Sequence, residues 1–484
     1  MRQICSILGV LLFASTFCFA GEYESKVKIS GSARLELGQV VHGSYYLNYS
    51  DYQEITKGWQ ERFLYRLIYD MTLTERIRMV MDIEGQISFS YPQILGYIES
   101  QGTRFLFFPE RIEGMYTLGD SEKPYLQFGF GYFPYKFNPD ARNLGELEFR
   151  SGTYPLYVIT NFDHCYGKLL GFRVSSTLFG SLKQDLMLTS EALMFPTQDY
   201  SLSYAVHYSL ARVLDIGAAI SFAHLFSIEK KLTEPNNSLY IKANGDTAYY
   251  NFKGIKPSAV LAIDPKPLLP QALQDLLGKN DARLYGEVFV SGWENRKNYD
   301  SAVLYDTSLQ MQQYYANRSD RTVVMFGFNW LTHPLLSYTL LPGIAAYLLN
   351  NKELIIPATC MAGWAGIASG IGLWLLEKHT NIKTGLDVLS FEFEHFPNRY
   401  PDSYRNALLS NSATPYFFPT LKKQFAWRWS CYAKKTFLGK FFIVGQVARD
   451  HLRTTFSDLT VSEKEDVLKG GKDWWWVCSF GFKI

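Results

Sequence analysis

The charged side chains best suited to act on a solute lie in one stretch, residues 138–154. Its acidic and basic residues are Asp140, Arg142, Glu146, Glu148 and Arg150. A second set of charges recurs on one face of an alternating pattern and comprises Arg62, Arg66, Arg76 and Arg78. Facing rows of opposite charge create a transverse field that orients polar solutes and filters them by charge. These nine residues are therefore candidates for a pore constriction. The alternative is that 138–154 is a surface cover whose Pro and Gly residues only set turns.

Catalytic and metal-binding patterns are weak. His42 and Ser44, with Asn48 nearby, could be imagined as the base and nucleophile of a lipase, but residues two apart in a loop have no reason to meet. No G-x-S-x-G elbow or H-E-x-x-H helix accompanies them. The four cysteines after residue 20 show no paired spacing, so neither a disulfide framework nor a zinc site is indicated. We predict no enzyme, no catalytic residue, no metal and no cofactor.

Alternation with period two is the dominant pattern that positions these charges. In residues 62–72, Phe63, Tyr65, Leu67, Tyr69 and Met71 share one parity, and the charged residues share the other. Side chains of one parity share a face of a strand. A soluble sandwich places such charges outside, whereas a membrane barrel turns them into a wet lumen and the apolar side chains to lipid.

Aromatic residues favour the barrel. They make up 16% of the 484 residues, with 33 Tyr and 35 Phe, as expected where aromatic girdles mark two membrane interfaces. A barrel gives lumen parity to Arg62, Arg66, Asp70, Asp82, Glu84, Arg173, Lys183, Asp185, Glu191, Arg283, Glu287, Glu392, Glu394 and Arg428. We expect most of these to form cross-strand ion pairs in the wall. The net charge of +2 gives no support for a nucleic-acid partner.

Candidate strands cover 26–37, 60–73, 76–90, 111–118, 125–133, 168–178, 182–193, 200–210, 214–224, 248–262, 283–293, 321–331, 386–396, 424–434, 440–450 and 473–484. Long gaps such as 38–59, 91–110 and 134–167 alternate with short ones such as 74–75, 179–181 and 211–213. Long extracellular loops alternating with short periplasmic turns are typical of an outer-membrane barrel. We therefore predict an all-β, transmembrane antiparallel barrel of about sixteen strands.

Two periplasmic connections are long and partly helical by pattern. Residues 270–278 place apolar side chains on one helical face, and 333–385 contains two apolar runs. Short helices at or inside the periplasmic mouth are the favoured reading. A spanning helix, or an extra strand pair that raises the count to about eighteen, is the alternative.

The two ends of the chain agree with this interpretation. Residues 1–20 carry one Arg and an apolar run before Ala20, the layout of a signal peptide cleaved near that residue, which leaves 21–484 as one barrel. Residues 474–484, WWWVCSFGFKI, alternate as a closing strand that pairs with the strand near 26–37. They also resemble the signal read by the barrel-assembly machinery, although Ile484 replaces the usual terminal aromatic.

Two further stretches carry a family resemblance. Residues 133–163, FPYKFNPDARNLGELEFRSGTYPLYVITNFD, and 386–404, LDVLSFEFEHFPNRYPDSY, resemble a largely uncharacterised, porin-like family of bacterial outer-membrane barrels with an FRSGTYP-type loop. The resemblance implies a signal peptide, a barrel and an outer-membrane location. It implies no particular substrate.

The expected function is passive diffusion of small hydrophilic solutes through a porin-like channel, because a barrel of this size leaves an aqueous lumen. A surface-exposed binding or adhesion barrel is the alternative, since the loops are rich in Tyr and Asn. A lipase is the remaining one. Expected partners are outer-membrane lipid, the assembly machinery and the solutes, and the sequence leaves a homotrimer open.

Overall fold

Alternating apolar and polar side chains build antiparallel strands that close into a barrel. The computed structural model describes residues 26–46, 52–89, 104–119, 124–150, 167–190, 200–226, 239–241, 247–249, 254–274, 277–290, 293, 318–332, 379, 385–395, 427–449 and 472–484. Sixteen of its strands form the closed ring. Each strand pairs with its neighbours in sequence, except that β9 pairs with β12 because β10 and β11 form a separate hairpin. The predicted fold class and strand count are confirmed.

The strand bounds are β1 Lys26–Tyr46, β2 Tyr52–Thr72, β3 Ile77–Phe89, β4 Arg104–Gly119, β5 Pro124–Tyr135, β6 Gly167–Leu178, β7 Leu182–Ser190, β8 Tyr200–Leu210, β9 Leu214–Phe226, β10 Leu239–Ile241, β11 Thr247–Tyr249, β12 Gly254–Ile263, β13 Leu284–Val290, β14 Thr322–Asn329, β15 Val388–His395, β16 Trp427–Phe437, β17 Phe441–Arg449 and β18 Trp474–Lys483. Helical turns cover Leu147–Arg150, Lys266–Leu268, Gln271–Gln274 and Arg318–Arg321.

The ring closes where β1 pairs with β18, as the sequence predicts. The register runs from Ser32 opposite Lys483 to His42 opposite Trp474. Two backbone hydrogen bonds between Gly31 and Ile484 extend the ladder at one end, with N···O distances of 3.2 and 2.8 Å. No edge is left at this seam, which is how a barrel satisfies all its backbone groups.

The two faces of the wall differ in polarity as predicted. Outward side chains such as Ile29, Phe130 and Phe172 are exposed, whereas the lumen-facing Arg62 and Glu392 are buried. Other lumen-facing charges that are buried include Asp82, Glu84, Glu287, Glu394 and Arg428. Glu191 lies outside the described residues. In β18, Phe480 and Phe482 point outward while Trp475 and Ser479 are buried.

Several predicted boundaries are wrong. The first predicted loop, 38–59, is largely β-hairpin, since β1 continues to Tyr46 and β2 begins at Tyr52. β4 begins at Arg104 rather than 111, because Pro109 suggests a break but is accommodated at a register shift opposite Ile83. The strand predicted over 248–262 begins at Gly254, since Thr247–Tyr249 pairs with Leu239–Ile241 instead.

The eighteen-strand alternative is excluded. β14 and β15 pair directly with each other, so no strand from the chain between them enters the wall. Most of 333–385 lies outside the described residues, as does the predicted signal peptide. In the other long connection the described helical turns are three and four residues long. Among the described residues, the structure shows no helix with the length and apolar character needed to span a bilayer.

Candidate functional site

The chain leaving β5 turns into the barrel instead of covering it. We call residues 136–150 the inward segment. Its side chains Phe137, Ala141 and Leu144 are completely buried. They pack against side chains on the lumen face of the wall, including Ala219 of β9 and Tyr285 of β13. The structure therefore brings Asp140, Arg142, Glu146, Glu148 and the backbone of Arg150 into the lumen; residues 151–154 are outside the described chain.

Glu287 of β13 is the first anchor of the inward segment. One carboxylate oxygen accepts hydrogen bonds from the backbone N–H of Glu146 at 2.8 Å and from Asn138 Nδ2 at 3.1 Å. The other accepts the N–H of Leu147 at 2.6 Å. A carboxylate that receives several N–H donors is stabilised by charge-assisted bonds. Glu287 thus fixes both ends of the segment's central turn.

Glu392 of β15 is the second anchor. It accepts three successive backbone N–H groups, those of Arg142 at 2.5 Å, Asn143 at 2.8 Å and Leu144 at 2.8 Å. The Tyr285 hydroxyl donates a fourth hydrogen bond at 2.8 Å. Consecutive N–H groups that converge on one anion form a concave cradle. Glu392 therefore holds the tip of the segment against β13 and β15.

Glu146 ties the segment to itself. Its carboxylate accepts the N–H groups of Phe137 at 2.9 Å and Asn138 at 2.5 Å, which bridges the start of the segment to its turn. Burial, with repulsion from Glu287, raises the pKa of Glu146 well above its usual range. The turn uses Gly145 at φ +82°, where an added Cβ would lie 2.9 Å from a Glu287 oxygen. A side chain at this position would collide with the anchor.

Arg283, just before β13, connects the segment to the end of the barrel with the short turns. Its Nε lies 2.6 Å from Asp140 and its Nη2 lies 2.7 Å from Asp215 at the start of β9. Asp264 in the connection after β12 lies within 3.8 Å. One guanidinium therefore bridges the inward segment and two wall or turn carboxylates.

Glu148 is a second buried carboxyl of the segment. It is buried beside Ser258 and Lys256 of β12, and burial raises its pKa to about 8. A buried carboxyl in such surroundings favours the neutral form near neutral pH. The charge of Glu148 therefore changes between pH 6 and 9.

The wall beneath the segment is built from small or apolar lumen-facing side chains. These are Met187, Ala205, Ala219, Val260, Ala262, Phe289, Val323 and Met325. Their contacts with Phe137, Phe149, Leu144 and Leu147 provide an apolar seat. Sequence reasoning missed this seat, although the small residues at lumen parity on β8 and β9 were its signal.

Charged side chains dominate the facing wall. β2 and β3 lie half-way round the ring from β12 and β13. On them Arg62 pairs with Glu36 of β1, and Arg66 donates from Nε to Asp82 at 2.8 Å. Glu36, Arg62 and Asp82 are buried within this network of ion pairs on the lumen face. The structure thus places Arg62 and Arg66 across the lumen from the segment.

The other two predicted wall charges, Arg76 and Arg78, lie nearer the end of the barrel that carries the short turns. Arg78 is exposed and donates to Asp70 at 2.7 Å. Arg76 lies in the turn between β2 and β3, one residue before β3, with an exposed side chain. The strand starts at Ile77 because Thr74 caps the turn and accepts the N–H groups of Arg76 and Ile77.

Sequence reasoning overlooked a third cluster on this side. Glu113 of β4 is buried and accepts from Arg111 on its own strand and from Arg173 of β6 at 2.8 Å. The guanidinium of Arg173 also lies over the Phe133 ring, 5.0 Å from its centroid. The even spacing of Arg111 and Glu113 was the available signal.

The lipase residues are not in a loop. His42 and Ser44 both belong to β1, and His42 Nδ1 lies 2.6 Å from the buried Asp473 just before β18. This contact joins β1 to the start of β18 at the end of the seam opposite the short turns. Asn48 lies outside the described residues. Cys431 and Cys478 are free thiols in the described part of the chain.

Comparison with known proteins adds little detail. No protein-family model matches the sequence, and no curated protein matches it. Among solved structures the chain is similar to Pseudomonas putida OprB, at 8% identity and a TM-score of 0.45 over 94% of this chain and 93% of that one. It is also similar to a triple mutant of Rhodopseudomonas blastica porin, at 8% identity and a TM-score of 0.38 over 95% and 100%. Function therefore has to be inferred from the barrel's own residues.

Proposed function

We propose that this protein is a porin-like channel of the bacterial outer membrane through which small hydrophilic solutes diffuse passively. The observation that carries the proposal is the inward segment, which Glu287 and Glu392 fasten to one wall of a closed sixteen-strand barrel. A segment that is fixed to the wall narrows the lumen, whereas a mobile plug would fill it. The narrowed region faces the charged side chains of β1 to β4.

The charges of the passage favour hydrophilic solutes. Arg66 with Asp82, and Arg111 and Arg173 with Glu113, present ion pairs to the lumen. Paired charges in a low-dielectric wall create strong local fields with little net potential. Polar solutes exchange hydrogen bonds with such a wall. Apolar solutes would have to break the hydrogen bonds of the wall without replacing them. Seven of the nine predicted constriction residues act here in two groups, the five segment charges and, on the facing wall, Arg62 and Arg66.

The outer surface supports a membrane location. Its side chains are apolar on all sides of the ring, as Ile29, Phe172, Phe326 and Ile443 show. In water these exposed side chains would be an aggregation hazard, whereas in lipid they are stabilising. We infer that residues 1–20 direct export, that 474–484 serve the assembly machinery, and that this surface contacts lipid or, in a homotrimer, a second copy.

Planar-bilayer recording tests the proposal. Purified protein should produce discrete conductance steps, and deletion of 138–154 should raise the step size because the segment no longer narrows the lumen. Circular dichroism should show that the deletion variant keeps its β-structure. A folded protein that produces no steps would contradict the channel.

The same preparation separates the alternatives. An adhesin would bind glycans or cells without conducting. A lipase would hydrolyse phospholipid in the vesicles, and Ser44→Ala would abolish the hydrolysis. Unchanged conductance after the deletion would show that the segment is not the constriction, even if the protein is a channel.

A further inference from the structure

Three tight turns at one end of the barrel share an unusual backbone. They join β6 to β7, β8 to β9 and β16 to β17, and we call this end the short-turn rim. Their first two residues have positive φ: Phe179 and Gly180 at 53° and 71°, Ala211 and Arg212 at 51° and 61°, Leu438 and Gly439 at 51° and 68°. Each turn is closed by a backbone hydrogen bond, such as Lys440 N to Phe437 O at 3.0 Å. These are the features of type I′ turns, which prefer Asn-Gly.

Two of these turns carry a bulky apolar residue where Asn is preferred. Phe179 is 95% exposed and Leu438 is 83% exposed. A bulky side chain at positive φ is strained, and an apolar one in water gains nothing from its exposure. Asn at either position would relieve the strain and be well hydrated. The two side chains therefore point to a stabilising contact with something outside the chain.

The position of the exposed side chains identifies the kind of contact. Exposed apolar residues also occur at Tyr125 on β5, Leu268 after β12 and Ile484 after β18. Together with Phe179 and Leu438 they lie on several sides of the ring. A single protein partner would cover one side. An apolar medium around the whole barrel, which is lipid, covers them all.

The height of the outer surface agrees with this. On β17 the exposed apolar side chains run from Phe441 to Val447, opposite Trp476 of β18. At about 3.4 Å per residue and a tilt of about 40°, that interval spans only about 16 Å of the membrane normal. Leu438, in the turn just before Phe441, lies beyond this interval at its rim end and lengthens it toward the apolar band of about 25 Å that barrels present to lipid. The turn tips complete the band.

Polar side chains on the outer face near the rim form hydrogen bonds with one another. On the outer face of β6 to β8, Gln184 donates to Ser176 at 2.9 Å and accepts from the Tyr204 hydroxyl at 2.8 Å. This triad lies a few residues above the Phe179 turn. Polar groups that face lipid must satisfy each other in this way.

A basic collar surrounds the same rim. Its exposed side chains in the turns and connections that the structure describes are Arg76, Arg212, Lys279 and Lys440, against the single exposed acidic residue Glu75. Basic residues beside inserted apolar ones are the combination that binds an anionic membrane surface. The collar therefore fits phospholipid phosphates.

We propose that the short-turn rim is a lipid-binding surface: Phe179 and Leu438 insert among the lipids of one leaflet, and the basic collar binds the phosphates of anionic phospholipids. The proposal rests on the membrane location proposed above, and it goes beyond it by assigning the rim a ligand. A barrel whose rim lies in water would still conduct, so conductance and lipid contact can fail independently.

Substitution by Asn gives a two-sided test on the full mature chain in phosphatidylglycerol-containing vesicles. Phe179→Asn and Leu438→Asn relieve strain but remove the inserted side chain, so the urea midpoint of unfolding should fall. Ala211→Asn is the matched control, because it makes the same change in a turn with no apolar tip, and its midpoint should rise. If all three midpoints rise equally, the tips are not inserted and the proposal is overturned.

Spin labels measure the insertion directly. In a background without the native cysteines, labels at Phe179→Cys and Leu438→Cys should be relaxed more by oxygen than by a water-soluble nickel complex. A label at Lys472→Cys, exposed at the opposite end, should show the reverse. Replacing phosphatidylglycerol by phosphatidylcholine should move the rim labels toward water, since the collar loses its anionic ligand. Rim labels that stay in water in both lipids, or that become protected only when a periplasmic extract is added, would overturn the lipid assignment.

Discussion

Replacing Glu392 by Ala should release the tip of the inward segment. The substitution removes the acceptor of three backbone N–H groups and of the Tyr285 hydroxyl. A buried donor left without a partner costs about 1–3 kcal/mol, so three amides set an upper range of about 3–9 kcal/mol. Removing the carboxylate also removes its own desolvation cost, and water can reach a segment that detaches. We therefore expect a net loss of about 3 kcal/mol.

A loss of about 3 kcal/mol raises the detached fraction of the segment roughly a hundredfold, because each 1.4 kcal/mol is a factor of ten. In planar bilayers Glu392→Ala should show larger and noisier conductance steps than the unmodified protein. Glu392→Gln keeps one acceptor oxygen and should fall in between. Asp82→Asn is the control, since Asp82 is a buried lumen carboxylate that pairs with Arg66 on the facing wall.

Circular dichroism should show that all three variants keep the barrel, because sixteen paired strands hold the wall without the segment. If Glu392→Ala is folded and conducts like the unmodified protein, the reasoning that this carboxylate positions the segment is refuted. If Asp82→Asn has the same effect as Glu392→Ala, the conductance reports the lumen's charge rather than the segment's attachment.

Three further predictions concern the segment and the wall. Glu148 has a pKa of about 8 in the folded state against 4.5 when exposed, so its stabilisation of the seated segment is complete below about pH 4.5 and is lost as pH rises through about 8. Conductance noise should therefore grow between pH 6 and 9, where the shift is worth about 3 kcal/mol, and Glu148→Gln should abolish the change. Gly145→Ala should loosen the segment and enlarge the conductance steps, because its Cβ would meet Glu287, whereas Gly180→Ala, with open space around it, should leave them unchanged. Phe482→Arg places a charge on the lipid face and should lower the yield of assembled barrel in outer-membrane fractions without altering the conductance of barrels that form.

Much of the wall could be predicted because lipid and lumen impose opposite polarities on alternate residues. β6, β8 and β9 follow the predicted bounds within a few residues. β4 was predicted too short because Pro109 is a strand breaker in most contexts, and only its pairing partner shows that a register shift absorbs it. The parts of β1 and β2 next to the connection that joins them, residues 38–46 and 52–59, carry apolar and polar residues on both faces. An alternation with period two therefore does not reveal them.

The candidate site was predictable only in its charges. Asp140 and Glu148 are visible as acidic residues in the sequence, but whether they meet a cation, an amide or an apolar wall depends on how the chain enters the barrel. Glu287 and Glu392 were expected to form cross-strand ion pairs, and their described partners are mainly backbone amides of the inward segment. Every residue except Pro carries a backbone N–H, so an acceptor of such groups leaves no pattern in sequence.

The seam between β1 and β18 has a consequence for how the barrel forms. Its paired residues, such as Gly38 and Val477, are separated by almost the whole described chain. The hairpin of β1 and β2, by contrast, aligns two 21-residue strands through one short connection. Loop-closure entropy delays contacts between distant residues, so local hairpins should form first and the seam last. Until then β1 and β17 each expose an open edge, and the rate of aggregation should be set by how quickly the last strand arrives to cover both.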